Sequence, residues 1–384
     1  MPVTLNPSSG DSRKFKVAAV QAEPVWLDLQ GGVAKTIDII NEAATAGAKI
    51  IGFPEVFIPG YPWTPWANDF VACQPVLKEY QANSMALHSP EMDRIRAACK
   101  DNDVNVVLGF SERDGASLYI AQVTITQDGN IANHRRKIKP THYEKTVFGD
   151  GSGRCSPTSY RGSTRVIDKG VPLVAQSVYN VVQTPYGRVG SLNCWEHIQP
   201  WLKTHFYSQH PQIFVGGWWP AFPPGTGGSP YIVSGEASSR MTQSVSMEGG
   251  CFGLVCCQVV SEAGAEKMKM TGFPWFKFPG GGFTTIYGPD GSALTAPIDD
   301  GEEKVVYATI SLDKINEVKL VADTMGNYSR FDLLHTVVHG KNWAPAAYGL
   351  EELQSFEDAK QNEVKNAANS ATYQSQVKTE QVKV

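Results

Sequence analysis
The chain has 384 residues, 42% of them apolar and 19% charged, with a formal net charge of −4 at pH 7. This is the composition of a soluble globular protein with ample core material, and it excludes the basic footprint of a nucleic-acid binder or of a protein drawn to anionic membranes. No apolar stretch approaches the roughly 20 residues of a bilayer span, and residues 1–14 are polar with no signal-peptide block, so we expect a cytoplasmic protein with a flexible N-terminus.

Residues 15–22 read as a buried strand. Helical spacing follows over 31–46 (Val33, Ile37, Ile40, Ala44), Gly47 supplies the stop, and 49–53 is a second apolar strand ending at Pro54. This β-α-β unit favours parallel pairing. A helix over 90–102 precedes strands at 104–111, 117–126 and 131–138, the last two joined through Asp128-Gly129. Strands at 177–183 and 188–193 pair around Pro185-Tyr186-Gly187. A helix over 199–208, a strand over 212–216 and a helix over 234–249 follow. Strands at 252–260, 284–287 and 304–311 lead to a last helix over 313–322. Helices and strands interleave throughout, which predicts an α/β fold with helices outside the sheets. We expect one domain over 15–345 and a mobile polar tail over 346–384, where large apolar residues are too few to offset the entropy of ordering.

Seven cysteines are scattered without a framework. Cys251, Cys256 and Cys257 lie in a strand-like run with no C-x-x-C pair, so they read as core rather than metal ligands. His335 and His339 are four apart but lack the Glu of a zinc-protease helix, and read as structural or surface histidines.

Three residues at strand ends carry chemistry. Cys194 closes the apolar run 189–193 and is followed by Trp195-Glu196-His197, a placement that lifts a thiol to a sheet edge beneath the N–H groups of the next turn. Glu55 follows the strand 49–53 among Phe, Val and Ile. Desolvation there raises a carboxyl pKa and makes it a better base near neutrality. Lys137 ends the cluster His134-Arg135-Arg136-Lys137, where alternation puts Arg135 and Lys137 on one face and His134 and Arg136 on the other. An ammonium beside a thiolate and a carboxylate lowers the thiol pKa from roughly 8.5 and stabilises developing negative charge.

Glu, Lys and Cys in this order, within Phe53-Pro54-Glu55, Arg135-Arg136-Lys137-Ile138-Lys139-Pro140-Thr141 and Leu192-Asn193-Cys194-Trp195-Glu196-His197, resemble the signatures of the nitrilase (carbon-nitrogen hydrolase) superfamily. His142-Tyr143-Glu144, Phe148-Gly149-Asp150-Gly151 and Gly326-Asn327-Tyr328-Ser329-Arg330 extend the likeness over about residues 15–340. The resemblance implies a four-layer αββα sandwich, Glu55 as general base, Lys137 as charge stabiliser, Cys194 as nucleophile and Glu144 as a second, positioning glutamate. It implies no metal or organic cofactor, a small-molecule nitrile as substrate, and self-association into dimers and spiral filaments. Cys-Trp-Glu points to nitrile hydrolysis within the family. Resemblance to fungal cyanide hydratases is visible in Ile138-Lys139-Pro140-Thr141-His142 and Gly149-Asp150-Gly151-Ser152-Gly153, but those enzymes carry Asn where this chain has His197, which favours an organic nitrile. Hydration of cyanide or of a nitrile to an amide at the same site, an amidase, and a non-catalytic filament scaffold are the alternatives.

Aromatic residues beside strand C-termini are candidates for the substrate wall: Tyr61, Trp195 and Trp219, together with His197. The 57 positions from Lys137 to Cys194 exceed the family's usual spacing. The excess falls in a polar, Gly- and Pro-punctuated stretch, 154–177, expected as a surface insertion.

Overall fold
Apolar strands buried on both faces need cover on both sides, and the order of elements supplies it. The computed structural model describes residues 14–151 and 177–337. The expected N-terminal extension, nearly all of the 154–177 insertion and the tail over 346–384 lie outside the described residues.

The first half runs β1 (Lys14–Ala22), α1 (Leu29–Thr45), β2 (Ala48–Gly52), α2 (Thr64–Ala67), α3 (Phe70–Ala82), α4 (Pro90–Asp101), β3 (Asn105–Asp114), β4 (Ser117–Ile125) and β5 (Ile131–Arg136). The second half continues with β6 (Val182–Thr184), β7 (Gly187–Asn193), α5 (Pro200–Ser208), β8 (Ile213–Trp218), α6 (Gly235–Gly249) and β9 (Phe252–Gln258). It ends with α7 (Glu262–Lys267), β10 (Ile286–Tyr287), β11 (Lys304–Ser311) and α8 (Asp313–Val321).

The strands pair in the order β5-β4-β3-β2-β1-β9-β8-β7-β6, with β11 antiparallel on β1 and β10 antiparallel on β9. β1 joins β9 only through Gln21–Cys257 and Ala22–Gln258, so the ladder folds there into two leaves. Alternation along β1 shows how the leaves stack. Val17 and Ala19 face inward against Val215, Leu254 and Cys256 of the second leaf, while Ala18 and Val20 face outward against Val33 and Ile40 of α1. Met92 and Ile95 of α4 complete the outer cover of the first leaf. Phe206 of α5 and Val245 of α6 pack on Leu192 and Phe214 to cover the second. Four layers result, αββα, as the resemblance implies. The leaves approach so closely that a Cβ on Gly52 would lie 2.7 Å from the Cys256 sulfur.

Local signals account for the helix starts. Asp28 and Ser89 cap α1 and α4 by accepting from the N–H groups of Gly31 and Met92. Several boundaries differ from expectation. Helix α3 was not anticipated: Pro75 lies inside it and only Cys73, Val76 and Tyr80 are buried, so its apolar spacing is faint. The strand expected over 177–183 forms only at Val182–Thr184, because the carbonyls of Ser177, Val178 and Tyr179 accept instead from side chains of Arg135, Gln209 and Asn133. The strand expected over 131–138 stops at Arg136. Cys251, Cys256 and Cys257 are buried, free thiols in the core. His335 is exposed, and His339 lies outside the described residues. Among the described residues no helix is long and apolar enough to cross a membrane.

Candidate active site
Both leaves deliver residues to one buried point. Glu55 stands three residues beyond β2, on a segment that turns sharply at Val56 (φ 48°). Gln258, the last residue of β9, holds this segment: its amide donates to the carbonyls of Glu55 and Val56, and its oxygen accepts from the N–H of Tyr61 at 3.2 Å. Lys137 is the first residue past β5, still tied to β4 by its N–H to the Ile120 carbonyl at 2.7 Å. The N–H of Gly151 donates to the Lys137 carbonyl at 2.9 Å, and a Cβ at Gly151 would meet that oxygen at 2.5 Å, so only glycine fits there. Glu144 lies in a short 3-10 turn, His142–Thr146, and accepts from the Thr141 N–H at 2.6 Å. Cys194 follows β7 directly, in left-handed backbone (φ 47°), and opens another such turn, Cys194–Ile198.

The Lys137 ammonium donates to Glu55 Oε1 and to Glu144 Oε2, both at 2.8 Å, with all three side chains buried. Tyr61 donates its hydroxyl to Glu144 Oε1 at 2.7 Å. One oxygen each of Glu55 and Glu144 and the sulfur of Cys194 lie within 4.8 Å of one another. Such a cluster resembles a metal site in its donor types, but the Lys137 ammonium already bridges its two carboxylates. Glu55 Oε2 is buried and has no protein partner, which leaves it free to accept a proton.

Burial raises the Glu55 carboxyl to about 8 against the opposing pull of Lys137. Burial also pushes the Cys194 thiol well above its usual range; Lys137 and the backbone N–H of Trp195 oppose this, while the two carboxylates reinforce it. For Lys137, burial favours the neutral amine, but Glu144, Glu55 and Cys194 outweigh it and hold the ammonium well above the ordinary range. At neutral pH the resting arrangement is therefore a protonated thiol beside a Glu55 carboxyl that burial has pushed past neutrality, so that its deprotonated form, once present, is a stronger base than an ordinary carboxylate. A thiol in this state becomes a nucleophile only as its proton leaves, and Glu55 is placed to take it.

The expected wall residues divide. Tyr61 orients Glu144 while its ring lies 5.4 Å from that of Trp219. Trp219 stacks on Trp63 at 4.8 Å, with Trp66, Phe222 and Phe276 around them. These rings share one apolar cluster with Cys194, against which Trp195 packs half-buried. His197 lies elsewhere. Neighbouring residues of β8 face opposite sides of their leaf: a Cβ on Gly216 would meet His197 Nε2 and Thr242 of α6, whereas one on Gly217 would meet Asn193 Oδ1 and the Glu55 N–H. His197 thus occupies the α6 side, its Nδ1 bonded to the Cys194 carbonyl and its ring 4.4 Å from Trp218. Burial drives its imidazole down to about 3, so it is neutral.

Sequence reasoning assigned no task to Glu196, Arg135, Gln122 or Gln258. Glu196 accepts from Arg135 Nη2 at 2.7 Å, from the Ile138 N–H at 3.0 Å and from the Asn193 N–H at 2.9 Å. Gln122 Oε1 accepts from Arg135 Nη1 at 2.8 Å. The available signal was a lone polar residue in an otherwise apolar strand, as at Gln258, which closes β9.

Comparison with known proteins bears on the family and on the layers that carry the site. The carbon-nitrogen hydrolase family model matches residues 16–320, and the chain belongs to that family. It is 74% identical over 372 residues, 97% of this chain and 98% of the other, to a protein from Armillaria gallica named cyanide hydratase. It is 45% identical to a nitrilase of Talaromyces marneffei, over 85% of this chain and 96% of that one. Among solved structures, a carbon-nitrogen hydrolase of Helicobacter pylori G27 superposes with a TM-score of 0.58 at 16% identity, covering 83% of this chain and 96% of that one, a likeness of fold.

Proposed function
We propose that this protein is a nitrilase that converts an organic nitrile to a carboxylic acid and ammonia through a covalent bond to Cys194. The observation that carries the reading is the buried Glu55–Lys137–Glu144 chain of 2.8 Å contacts beside the Cys194 sulfur. A nitrile carbon is a modest electrophile and needs an activated thiol. Glu55 takes the thiol proton as the sulfur adds to the carbon, and the nitrile nitrogen gains a proton to give a thioimidate. Lys137 and the Trp195 backbone N–H stabilise charge developing on nitrogen and later on oxygen. Water adds with Glu55 as base, ammonia leaves, and a second water releases the acid from the thioester. Glu144, fixed by Tyr61 and the Thr141 N–H, positions Lys137.

A second reading is hydration of cyanide or a small nitrile to the amide. The 74% identical relative bears the name cyanide hydratase, and His197, which in sequence favoured an organic nitrile, sits on the α6 side and not among the aromatic rings. Both outcomes share the tetrahedral intermediate that follows water addition. Loss of ammonia leads to acid and loss of the thiol leads to amide, and about 1.4 kcal/mol in relative barrier changes that ratio tenfold. The test is a panel of aryl, arylaliphatic and aliphatic nitriles and cyanide, with ammonia and amide quantified together. Ammonia equal to nitrile consumed supports the first reading, amide alone the second, and turnover of neither substrate class sinks both.

Self-association belongs to the same proposal. Trp201 of α5 is 75% exposed and Ile198, three residues before it, 40%, apolar side chains close to Cys194 in sequence that suit contact with a second copy. A cytoplasmic location fits the six free cysteines among the described residues.

A further inference from the structure
We infer that Glu196 is a positioning residue that sets the distance between Lys137 and Cys194 by clasping the two ends of the strand order. The inference rests on the covalent reading above and assigns a role to a residue that touches no reacting atom in it.

β5 is the first strand in the pairing order and β7 the last but one, and among the described residues no backbone ladder joins them. Lys137 follows β5 and Cys194 follows β7, so the two groups that must cooperate hang from opposite ends of a long path of strands. The Glu196 carboxylate spans that seam. One oxygen takes the N–H of Ile138, next to Lys137, and the guanidinium of Arg135, two residues before it. The other takes the N–H of Asn193, next to Cys194. Glu196 and Arg135 are both fully buried, at 0% exposure. Burial opposes the Glu196 charge, yet Arg135 and the two backbone N–H groups outweigh it and keep the carboxyl below its usual range. A fully buried ion pair gives weak stability on balance, because desolvation offsets attraction. Its geometric effect is the larger one: it ties the flanking residue of the ammonium to the flanking residue of the thiol through a single rigid group.

Three proteins test this: wild type, Glu196→Gln, and Arg135→Met/Glu196→Gln, which removes both charges and leaves no unpaired buried ion. Alkylation of Cys194 by iodoacetamide, followed by peptide mass spectrometry across pH, reads the thiol's environment without any nitrile. The single variant is expected to lose thermal stability, to lose about 100-fold in kcat with little change in KM, and to alkylate with its pH midpoint moved upward as Lys137 withdraws. The double variant is expected to recover thermal stability but neither kcat nor the alkylation profile. A double variant with wild-type kcat and profile overturns the inference, leaving Glu196 a purely structural charge. A wild type that alkylates as expected but turns over no nitrile would sink the functional reading and leave the positioning role standing. If neither variant folds, amide exchange in the intact protein decides: Ile138 and Asn193 should share one slow rate, and a fast-exchanging amide at either position overturns the clasp.

Discussion

Gln258 grips Glu55 by its main chain: the side-chain amide at the end of β9 donates to the Glu55 carbonyl, so the second leaf holds the proposed base that emerges from the first. Replacing Gln258 with Leu leaves the carbonyls of Glu55 and Val56 and the Tyr61 N–H without their present partners. Each buried group so abandoned costs about 1–3 kcal/mol, and a shifted base slows proton transfer. We expect Gln258→Leu to lower the thermal midpoint by several degrees and kcat by about 10- to 100-fold, read by calorimetry and steady-state kinetics. Unchanged kcat in a folded variant would show that the grip does not position the base.

Cys194→Ala, Glu55→Gln and Lys137→Ala are each expected to reduce turnover by at least about 1000-fold. Circular dichroism should report a folded protein for Cys194→Ala and Glu55→Gln, which add no buried charge. Lys137→Ala leaves two carboxylates facing one another and should melt at lower temperature than the other two. Substantial nitrile turnover by Cys194→Ala would place the nucleophile elsewhere.

In the proposed mechanism Glu55 acts in its deprotonated form, so kcat/KM should rise with pH along an acid limb centred near 8, the level to which burial raises its carboxyl. Stability should move the other way. Between the unfolded carboxyl value of about 4.3 and the folded value near 8, the native state holds a proton that the unfolded chain releases, so stability declines as pH rises through that window. Thermal melts of wild type and Glu55→Gln from pH 5 to pH 8 check this: the variant should lose that part of the slope.

Trp219 stacks on Trp63 at 4.8 Å in the aromatic cluster that includes Cys194. Trp219→Leu removes the stack while keeping a smaller apolar side chain at the position. We expect KM for an aryl nitrile to rise about tenfold, the equivalent of roughly 1.4 kcal/mol of lost contact, with cyanide conversion changed much less. Equal effects on both substrates would remove Trp219 from the specificity wall.

An α/β fold with helices outside was legible because β1, β2, β7, β8 and β9 are short apolar runs bounded by Gly, Pro or polar residues, and period separates them from the helices between, while the four layers came from the resemblance alone. Glu55, Lys137 and Cys194 stood out because ionisable groups at the ends of apolar strands have few structural reasons to be there. Alternation at the end of β5 also read correctly: Arg135 and Lys137 meet Glu196 and Glu55, while His134 and Arg136 both meet Glu112 on the other face. Convergence itself was hidden. Nothing local says that Gln258 reaches Glu55 across 203 positions, or that Glu196 reaches the Ile138 N–H across 58. His197 shows the opposite: three residues from Cys194 in sequence, it lies on the other side of the leaf in space.

Val56, His142 and Cys194 all adopt left-handed backbone, and each is at or within two residues of Glu55, Glu144 or Cys194. For side chains with a Cβ, and above all for β-branched Val56, this conformation costs about 1–2 kcal/mol apiece. The chemistry is thus mounted on loops under tension, kept in shape by the packing around them. Mild heating that slackens that packing should let these turns relax while the leaves remain paired, so that inactivation precedes melting.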